Sequence, residues 1–338
     1  MTGRATDIGF GLSVEVEPIE ARSADALPAG EGWQYEPKWD GFRCLAFKNG
    51  SRVDLRAKSG KPLGRYFPEV VALLSDLNAE RFVLDGELVI DIDGKLSFDA
   101  LQMRLHPAES RIRKLSRETP ARLVMFDMLM ATDGIPILGR DLNFRRAALE
   151  VFAKDSERPG RLILSPYTRD HSEATQWLSA SGTDTDGVVC KRLDGPYLPG
   201  ERAMIKVKRL RTADCVVGGF RYENGSKLVG SLLLGLYNHQ GDLDHVGFTA
   251  TITDAEKPEL TARLEALRGE PGFTGKAPGG PSRWSTKRSS QWEPLKPEMV
   301  VEVRFDHVTG HRFRHGTKFL RWRPDKRPTQ CKLEQIER

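Results

Sequence analysis

A short run of the sequence, Glu36 to Arg43, brings several reactive side chains close together. It contains the pattern Lys-x-Asp-Gly-x-Arg, which begins at Lys38. Gly41 lets the chain turn between two strands, so the pattern is expected to present an amine and a guanidinium on a tight bend. A lysine amine that has lost its proton can attack a phosphorus atom. A single lysine is usually a solvated surface amine, so the remaining motifs must decide between these two interpretations.

Other segments carry carboxylates, cations or an aromatic residue next to apolar strands. They are Asp85-Gly86-Glu87, Phe126-Asp127, the run from Asp186 to Lys191, Lys206-Val207-Lys208 and the run from Arg323 to Lys326. Taken alone, Glu87 would be a strand carboxylate and Phe126 a core aromatic. The glycine-rich phosphate loops of the common nucleotide-binding motifs are missing from the sequence. If the chain handles nucleotides, side chains must therefore do most of the binding.

The content and order of these motifs resemble the covalent nucleotidyltransferases, which include ATP-dependent DNA ligases, RNA ligases and mRNA capping enzymes. The resemblance covers nearly the whole chain and is strongest to the small bacterial ATP-dependent DNA ligases of the C type. It implies an enzyme that seals nicks in duplex DNA through a lysyl-AMP intermediate and a DNA-adenylate. The alternatives are an RNA ligase or capping-type guanylyltransferase of the same superfamily, and a nucleic-acid-binding module that has lost the chemistry. The presence of Lys38, Lys206 and Lys208 together favours an active enzyme.

The resemblance also implies a role for each motif residue in handling ATP. Lys38 would receive AMP, Lys206 and Lys208 would contact the α-phosphate, and Asp40 would complete the catalytic set. On the nucleoside, Glu36 would contact the amine of adenine, Phe126 would stack on its ring, and Arg43 and Glu87 would contact the sugar. Lys191 is a further nucleotide-binding residue. The departing pyrophosphate would be contacted by Arg323, Asp325 and Lys326. Since GTP offers a carbonyl where ATP has an amine, an acceptor at Glu36 argues against a capping enzyme.

A divalent ion, Mg²⁺ or Mn²⁺, is expected beside the nucleotide. By resemblance, Asp186 and Glu87 would be its protein ligands, and Mg²⁺ commonly binds to a few carboxylates together with phosphate oxygens. Asp186 stands where the ligases usually have a glutamate, so its side chain is one methylene shorter. The metal, Lys206 and Lys208 would together favour the neutral amine of Lys38 and neutralise the charge that develops on the phosphates.

Basic segments predict contacts with nicked duplex DNA. Residues 202–211 contain five basic and no acidic residues, and residues 301–338 contain ten basic and five acidic ones. The net charge of +5 permits polyanion binding without requiring it. Lys58 stands where the resemblance has an arginine that holds the 5′-phosphate of the nick, so a point charge replaces a bidentate fork. The candidate DNA contacts are Lys58, Arg209, Arg211, Arg314, Lys318 and Arg321.

The elements that must position these residues read as an α+β fold. Strand-like alternation flanks turns at Asn49-Gly50 and Asp93-Gly94, and helical spacing occurs at 68–77, 141–153 and 172–179. After Thr212, short strands and one helix at 254–267 are typical of a small Greek-key barrel. We therefore expect an adenylation domain of antiparallel sheets and helices at 1–210, followed by an OB-fold β-barrel domain at 211–338.

Composition excludes several other classes of protein. A length of 338 residues with 39% hydrophobic residues is enough for two packed cores. The four cysteines lie far apart without zinc-ligand spacing, so buried thiols are expected. No secretory signal or membrane-spanning run is visible, which favours a cytoplasmic location.

The resemblance implies a bacterial enzyme that is at the nucleoid while it acts. It further suggests a monomer that works in DNA repair beside a primase-polymerase.

Overall fold

A computed structural model describes residues 9–156, 158, 160–179, 185–279 and 291–337. The chain divides into two compact units, Met1–Arg209 and Leu210–Arg338, here called the first and the second unit. The four cysteines are free thiols with buried side chains, as expected. Every described helix is too short or too polar to cross a lipid bilayer.

The first unit is built from two main sheets and several helices. Its strands are β1 (Ala21–Ser23), β2 (Trp33–Trp39), β3 (Phe42–Asn49), β4 (Arg52–Ala57), β5 (Arg81–Val89), β6 (Asp91–Ile92), β7 (Lys95–Leu96), β8 (Arg122–Met130), β9 (Leu162–Leu164), β10 (Thr185–Arg192) and β11 (Met204–Lys208). Its helices are α1 (Pro68–Ser75), α2 (Phe98–Arg104), α3 (Glu109–Glu118), α4 (Leu142–Ser156) and α5 (His171–Ser179). The small sheet has the order β1-β11-β10-β2, and the large sheet has the order β4-β3-β5-β8-β9.

Alternate residues of β3 face two different cores. Cys44 and Ala46 belong to a core that includes side chains of α1 and α4. Leu45 and Phe47 belong to another core, which includes Tyr197. A strand that is buried on both faces needs a continuous apolar run, which is what the sequence provides here. The large sheet is therefore anchored from both sides.

The described residues of the second unit form a main sheet of six strands, a small sheet of two strands and one α-helix. Its elements are β12 (Arg211–Tyr222), β13 (Val229–Tyr237), β14 (Leu243–Thr249), α6 (Lys257–Ala266), β15 (Glu293–Pro294), β16 (Val300–Phe305), β17 (Val308–Thr309), β18 (Arg312–Phe313) and β19 (Lys318–Trp322), followed by 3₁₀ turns at Pro328–Gln330 and Leu333–Gln335. The sheet order is β14-β13-β12-β16-β19. A bridge between Thr249 and Thr317 joins segments near its two ends. Within the described residues only this isolated bridge, and no strand ladder, links the two edges of the sheet, which matches a partly open barrel.

The α+β class and most predicted elements are confirmed. The helices predicted at 68–77, 141–153 and 172–179 appear as α1, α4 and α5, and the helix predicted at 254–267 appears as α6. Turn residues Asn49 and Gly50 connect β3 to β4, as expected. The sequence reading missed α2, α3 and β19, because these segments are short and carry many charged or polar residues.

Candidate active site

A cleft of about 220 Å³ in the first unit is lined by residues from both of its main sheets. The small sheet contributes Glu36, Lys38, Val189, Lys191, Met204 and Lys206, and the large sheet contributes Arg43, Glu87 and Phe126. Lys58 and Glu20 also line the cleft. The structure therefore brings together charged residues that lie as far apart in sequence as Glu20 and Lys206.

Strand register explains how the small sheet presents its charges. Glu36 pairs with Val189, which in turn pairs with Lys206 in the next strand. Side chains two residues apart on a strand share a face, so Lys38, Lys191 and Met204 flank this row. In the large sheet Arg43 pairs with Glu87 across β3 and β5.

The glycines of Asp40-Gly41 and Asp186-Gly187 are required by close backbone contacts. A Cβ atom at Gly41, between β2 and β3, would overlap the carbonyl oxygen of Leu88. A Cβ atom at Gly187 would likewise overlap the carbonyl oxygen of Val207. Gly187 has a φ of +153°, and the register of β10 shifts beside it. Any side chain at either position would push apart the strands that carry the charged residues.

Lys38 makes an ion pair inside this site. Its Nζ atom donates to Oδ2 of Asp186 at 3.2 Å, and both side chains are 21% exposed. Carboxylate oxygens of Asp40 and Asp186 lie within 4.8 Å of each other. The amine is thus oriented by one carboxylate and lies near a second source of oxygen ligands.

A buried network surrounds Glu36. Its Oε2 atom pairs with Nζ of Lys191 at 2.8 Å, and its Oε1 atom accepts from Nε2 of Gln34 at 2.8 Å. Lys191 also donates to the carbonyl oxygen of Phe126 at 3.2 Å and lies 4.9 Å from the centre of that ring. Both carboxylate oxygens of Glu36 are engaged and its residue is only 2% exposed, so its orientation is fixed.

Arg43 is held by a second network in the large sheet. Its Nε and Nη2 atoms donate to the two carboxylate oxygens of Asp85 at 2.5 and 2.6 Å, and the hydroxyl of Tyr197 donates to Asp85 at 2.7 Å. Burial alone would lower the pKa of Arg43, but the Asp85 carboxylate raises that pKa on balance. The guanidinium lies 4.7 Å from the centre of the Phe126 ring. Arg43 is therefore a permanent cation beside an aromatic face.

Two groups in the cleft have shifted pKa values. Burial raises the pKa of Glu87 to about 7, although Arg43 and Lys38 oppose the shift. Burial also lowers the pKa of Lys206, and the neighbouring charges of Lys208 and Lys38 lower it further. Both pKa shifts arise because these charged groups are buried and their charges are not fully balanced by opposite charges nearby.

The basic residues predicted to bind DNA have different surroundings in the first unit. Lys58 is exposed and pairs with Oε1 of Glu20 at 2.9 Å. Arg209 donates to the carbonyl oxygens of Trp177 and Leu178, at 2.8 and 3.1 Å, at the end of α5. Arg209 therefore stabilises a helix terminus, and its contact with DNA stays a prediction.

In the second unit, Arg323 and Lys326 share one carboxylate. Asp214 accepts from Nη1 of Arg323 at 2.8 Å and from Nζ of Lys326 at 2.5 Å. Arg323 also makes a bidentate contact with Asp325, through Nε at 2.9 Å and Nη2 at 2.8 Å. The three predicted pyrophosphate residues thus form one network around Asp214.

The other basic residues of the second unit lie on or near its strands. Arg211 places its guanidinium 4.9 Å from the centre of the Phe305 ring, and Arg321 pairs with Glu302 at 2.6 Å. Lys318 is exposed on β19, and Arg314 is partly exposed between β18 and β19. Their role in DNA binding stays a prediction.

Several residues of these networks were missed by the sequence analysis. Gln34 could have been found, because it lies two residues before Glu36 on the same strand face. Asp85 lies inside a recognised motif but had been given no role. Tyr197 and Asp214 carried no signal in the sequence, because only the fold brings them to their partners.

Two family models match the chain. An ATP dependent DNA ligase domain matches residues 19–208, and an ATP dependent DNA ligase C terminal region matches residues 225–326. The first match contains every candidate residue of the cleft. The second match contains Arg323 to Lys326.

Relatives of known name are similar over almost the full chain. DNA ligase C1 of Mycolicibacterium smegmatis is 44% identical over 333 residues, which cover 95% of this chain and 94% of the relative. DNA ligase C of Mycobacterium tuberculosis is 41% identical over 339 residues, covering 96% and 94%. A solved structure described as mycobacterial DNA ligase D complexed with ATP and MES is 29% identical, with a TM-score of 0.51, and covers 94% of this chain and 98% of that one. The resemblance seen in the motifs is confirmed, and the chain belongs to the ATP-dependent DNA ligase family.

Proposed function

We propose that this protein seals nicks in duplex DNA with ATP, and that Lys38 carries AMP as a covalent intermediate. The observation that carries the proposal is the position of Lys38. Its amine lies in a cleft of a ligase-type domain, held by Asp186 and surrounded by cations suited to phosphates. Residues 1–210 would act as the adenylation domain and residues 211–338 as the OB-fold domain.

In the first step the neutral amine of Lys38 attacks the α-phosphorus of ATP. A nitrogen–phosphorus bond forms while the bond from that phosphorus to the bridging oxygen breaks, and pyrophosphate leaves with the electron pair. The attacking nitrogen also gives up one of its two protons to the solvent. Asp186 orients the amine through their contact of 3.2 Å. Lys206 and Lys208 stabilise the negative charge that develops on the phosphate oxygens, and stabilisation of this kind is usually the largest single contribution to catalysis. Arg323 and Lys326 assist the departure of pyrophosphate.

Adenine recognition falls to the buried network around Glu36. A carboxylate oxygen has two lone pairs, so Oε1 and Oε2 can each accept another hydrogen bond beyond those from Gln34 and Lys191. The exocyclic amine of adenine would supply that donor. Phe126 offers its ring for stacking, while Arg43 and Glu87 face the sugar.

The residues beside Lys38 fit a divalent cation. Oxygens of Asp40 and Asp186 lie within 4.8 Å of each other, and two carboxylates together with phosphate oxygens suit Mg²⁺ or Mn²⁺. Asp186 and Glu87 stay the proposed ligands, and Asp40 is a further candidate because of its short distance to Asp186. When bound, the ion would neutralise phosphate charge and so support the attack.

After adenylation, AMP passes from Lys38 to the 5′-phosphate of a nick, and the adjacent 3′-hydroxyl then displaces it. Nicked duplex DNA is therefore the proposed partner. Lys58 would meet the 5′-phosphate, and Arg209, Arg211, Arg314, Lys318 and Arg321 would contact the DNA backbone. We place this reaction in DNA repair, with a primase-polymerase as the proposed partner enzyme.

The test is the mass of the protein after incubation with Mg²⁺ and ATP. Purified protein is first stripped of bound nucleotide with pyrophosphate. It should then gain the mass of one AMP on Lys38, and labelled nicked DNA should be sealed on addition. Lys38→Ala should show neither change.

Two controls make the result specific. Lys61→Ala removes an exposed lysine outside the cleft and should retain both activities. Nicked RNA and GTP, offered in parallel, should react poorly. A wild-type protein that never gains AMP, or that modifies GTP in preference, would contradict the proposal.

A further inference from the structure

In the second unit, the carboxylate of Asp214 contacts the cations of both Arg323 and Lys326. Asp214 belongs to none of the recognised motifs. Asp214 lies in β12, and its side chain is only 12% exposed. Its Oδ1 atom accepts from Arg323, and its Oδ2 atom accepts from Lys326. Because each oxygen takes one cation, this carboxylate sets the spacing between the guanidinium and the ammonium group.

Asp214 is itself fixed by the fold. Its backbone N–H donates to Oε1 of Gln335 at 3.0 Å, and its carbonyl oxygen accepts from Nε2 of Gln335 at 3.1 Å. The residue also pairs with Glu302 in the ladder between β12 and β16, and the next residue, Cys215, is fully buried. The carboxylate therefore projects from a strand position that is held both by Gln335 and by the strand ladder.

Arg323 makes close contacts with Asp214 and Asp325, and Glu302 lies farther away, 3.9 Å from its Nη1 atom. The two close acidic partners differ in exposure. The side chain of Asp325 is 62% exposed, so water weakens its contact, whereas that of Asp214 is largely shielded. Asp214 is thus the durable anchor of the network. The second anchor of Arg323 lies in the backbone, where its N–H donates to the carbonyl oxygen of Val300 at 2.8 Å.

Both cations keep donors for a further ligand. Arginine has five N–H donors, and the contacts with Asp214 and Asp325 engage three of them. Lysine has three donors, and the contact with Asp214 engages one at Lys326. A bidentate anion with two charged centres, such as pyrophosphate, could accept from both residues without displacing Asp214.

We propose that Asp214 is a positioning residue for the reaction with ATP, and that it holds Arg323 and Lys326 at the spacing required by the departing pyrophosphate. This inference rests on the proposed function, because it assumes that these cations act on pyrophosphate. Asp214 touches no substrate and acts only through its two partners. Its effect should therefore be confined to the steps in which pyrophosphate takes part.

The test is Asp214→Asn, which keeps the shape of the side chain and removes its charge. Three rates are measured: formation of lysyl-AMP from ATP, release of AMP from the adenylated enzyme by added pyrophosphate, and sealing of a nick that already carries AMP. We expect the first two rates to fall by about 10- to 100-fold, since a small displacement of positioned groups has effects of this size. Sealing of the pre-adenylated nick should change by less than about threefold.

Further variants separate positioning from stability. Asp214→Glu restores the charge and should recover part of both pyrophosphate-linked rates. Glu223→Gln removes a carboxylate that pairs with Lys257 in the same unit and should leave all three rates unchanged. If Asp214→Asn does not fold, Gln335→Leu replaces it, and a smaller loss in the same two rates is expected.

The inference and the function fail in different ways. Unchanged pyrophosphate-linked rates in a folded Asp214→Asn protein would overturn the inference, as would an equal loss in sealing the pre-adenylated nick. A wild-type protein that forms no lysyl-AMP would instead overturn the proposed function.

Discussion

Cations in the two units have opposite surroundings. In the first unit, burial and the charges of Lys208, Lys38 and Lys58 lower the pKa of Lys206. In the second unit, the hydrogen bond to Asp325 and the charge of Asp214 raise the pKa of Arg323. Crowded cations gain most from an incoming polyanion, whereas cations that are balanced by carboxylates keep their geometry without one. Under the proposed function, the crowded cations of the first unit would bind phosphates, and the balanced cations of the second unit would present donors in a fixed geometry.

The largest effect is expected when charge is removed from the crowded site. Lys206→Met should lower the rate of lysyl-AMP formation by about 10²- to 10³-fold, because one donor to developing negative charge is lost. The rate is measured as incorporation of labelled AMP into purified protein. Lys61→Met serves as the matched control for an exposed lysine. A Lys206→Met protein that is adenylated at the normal rate would remove the distinction between the two sites.

Next in size is the effect of opening the buried pair between Glu36 and Lys191. Glu36→Gln should lower the free energy of unfolding by about 3 kcal/mol, since it leaves a buried ammonium without its counter-charge. Urea denaturation measures this change. Glu109→Gln removes the partner of Arg113 in an exposed pair and should leave the midpoint unchanged. Equal midpoints for Glu36→Gln and wild type would show that the pair does not fix the cleft.

Crowding also occurs once inside the second unit, at His245. Burial and the charges of Arg312 and Arg221 lower its pKa to about 3, and Nη2 of Arg312 contacts its Nδ1 atom at 2.9 Å. The unfolded chain therefore binds a proton below pH 6.5 that the folded chain refuses, so stability falls as the pH falls from 6.5 towards 3. Between pH 8 and pH 5 the loss from this residue is about 2 kcal/mol.

The pH prediction is checked by urea denaturation of wild type and His245→Gln at pH 8 and pH 5. The variant should lose less stability between the two pH values than wild type. If both proteins lose the same amount, His245 is not the group responsible.

The smallest effect on stability is expected at the exposed end of the balanced network. Asp325→Asn should leave the unfolding midpoint unchanged, because water already screens its contact with Arg323. The same variant should slow the formation of lysyl-AMP, since Arg323 loses its bidentate acidic partner. Thermal denaturation and AMP incorporation on one preparation separate the two results. A clear fall in the midpoint would mean that the exposed pair carries part of the fold.

Much of the first unit could be predicted from local sequence. Asn49 and Gly50 form the expected turn, and Lys38 and Phe126 lie on strands because their neighbours alternate or are apolar. Helices α2 and α3 were missed, because their exposed charged faces hide the helical spacing. Local patterns report the faces of single elements, so they fail where an element packs only a few residues.

The candidate site could be predicted from the sequence less completely than the fold. Motifs identified the residues of the cleft but not their partners, such as Asp85 for Arg43 or Glu20 for Lys58. The contacts of Arg209 with the end of α5 were likewise not predicted, while its contact with DNA stays a prediction. A sequence motif identifies the residue, while its hydrogen-bond or ion-pair partner depends on the register between distant strands.

The amino-acid sequence alone determined the residue types and their order, and through them the family, the strand and helix periodicity and the lysine that we propose as the nucleophile. Only the tertiary structure decided which carboxylate meets which cation. Lys38 and Asp186 are 148 residues apart, and Arg323 and Asp214 are 109 residues apart, yet each pair is in contact. The physical reason is that an ion pair depends on a few ångströms of separation, and that separation is set by strand order and register, which no local segment encodes.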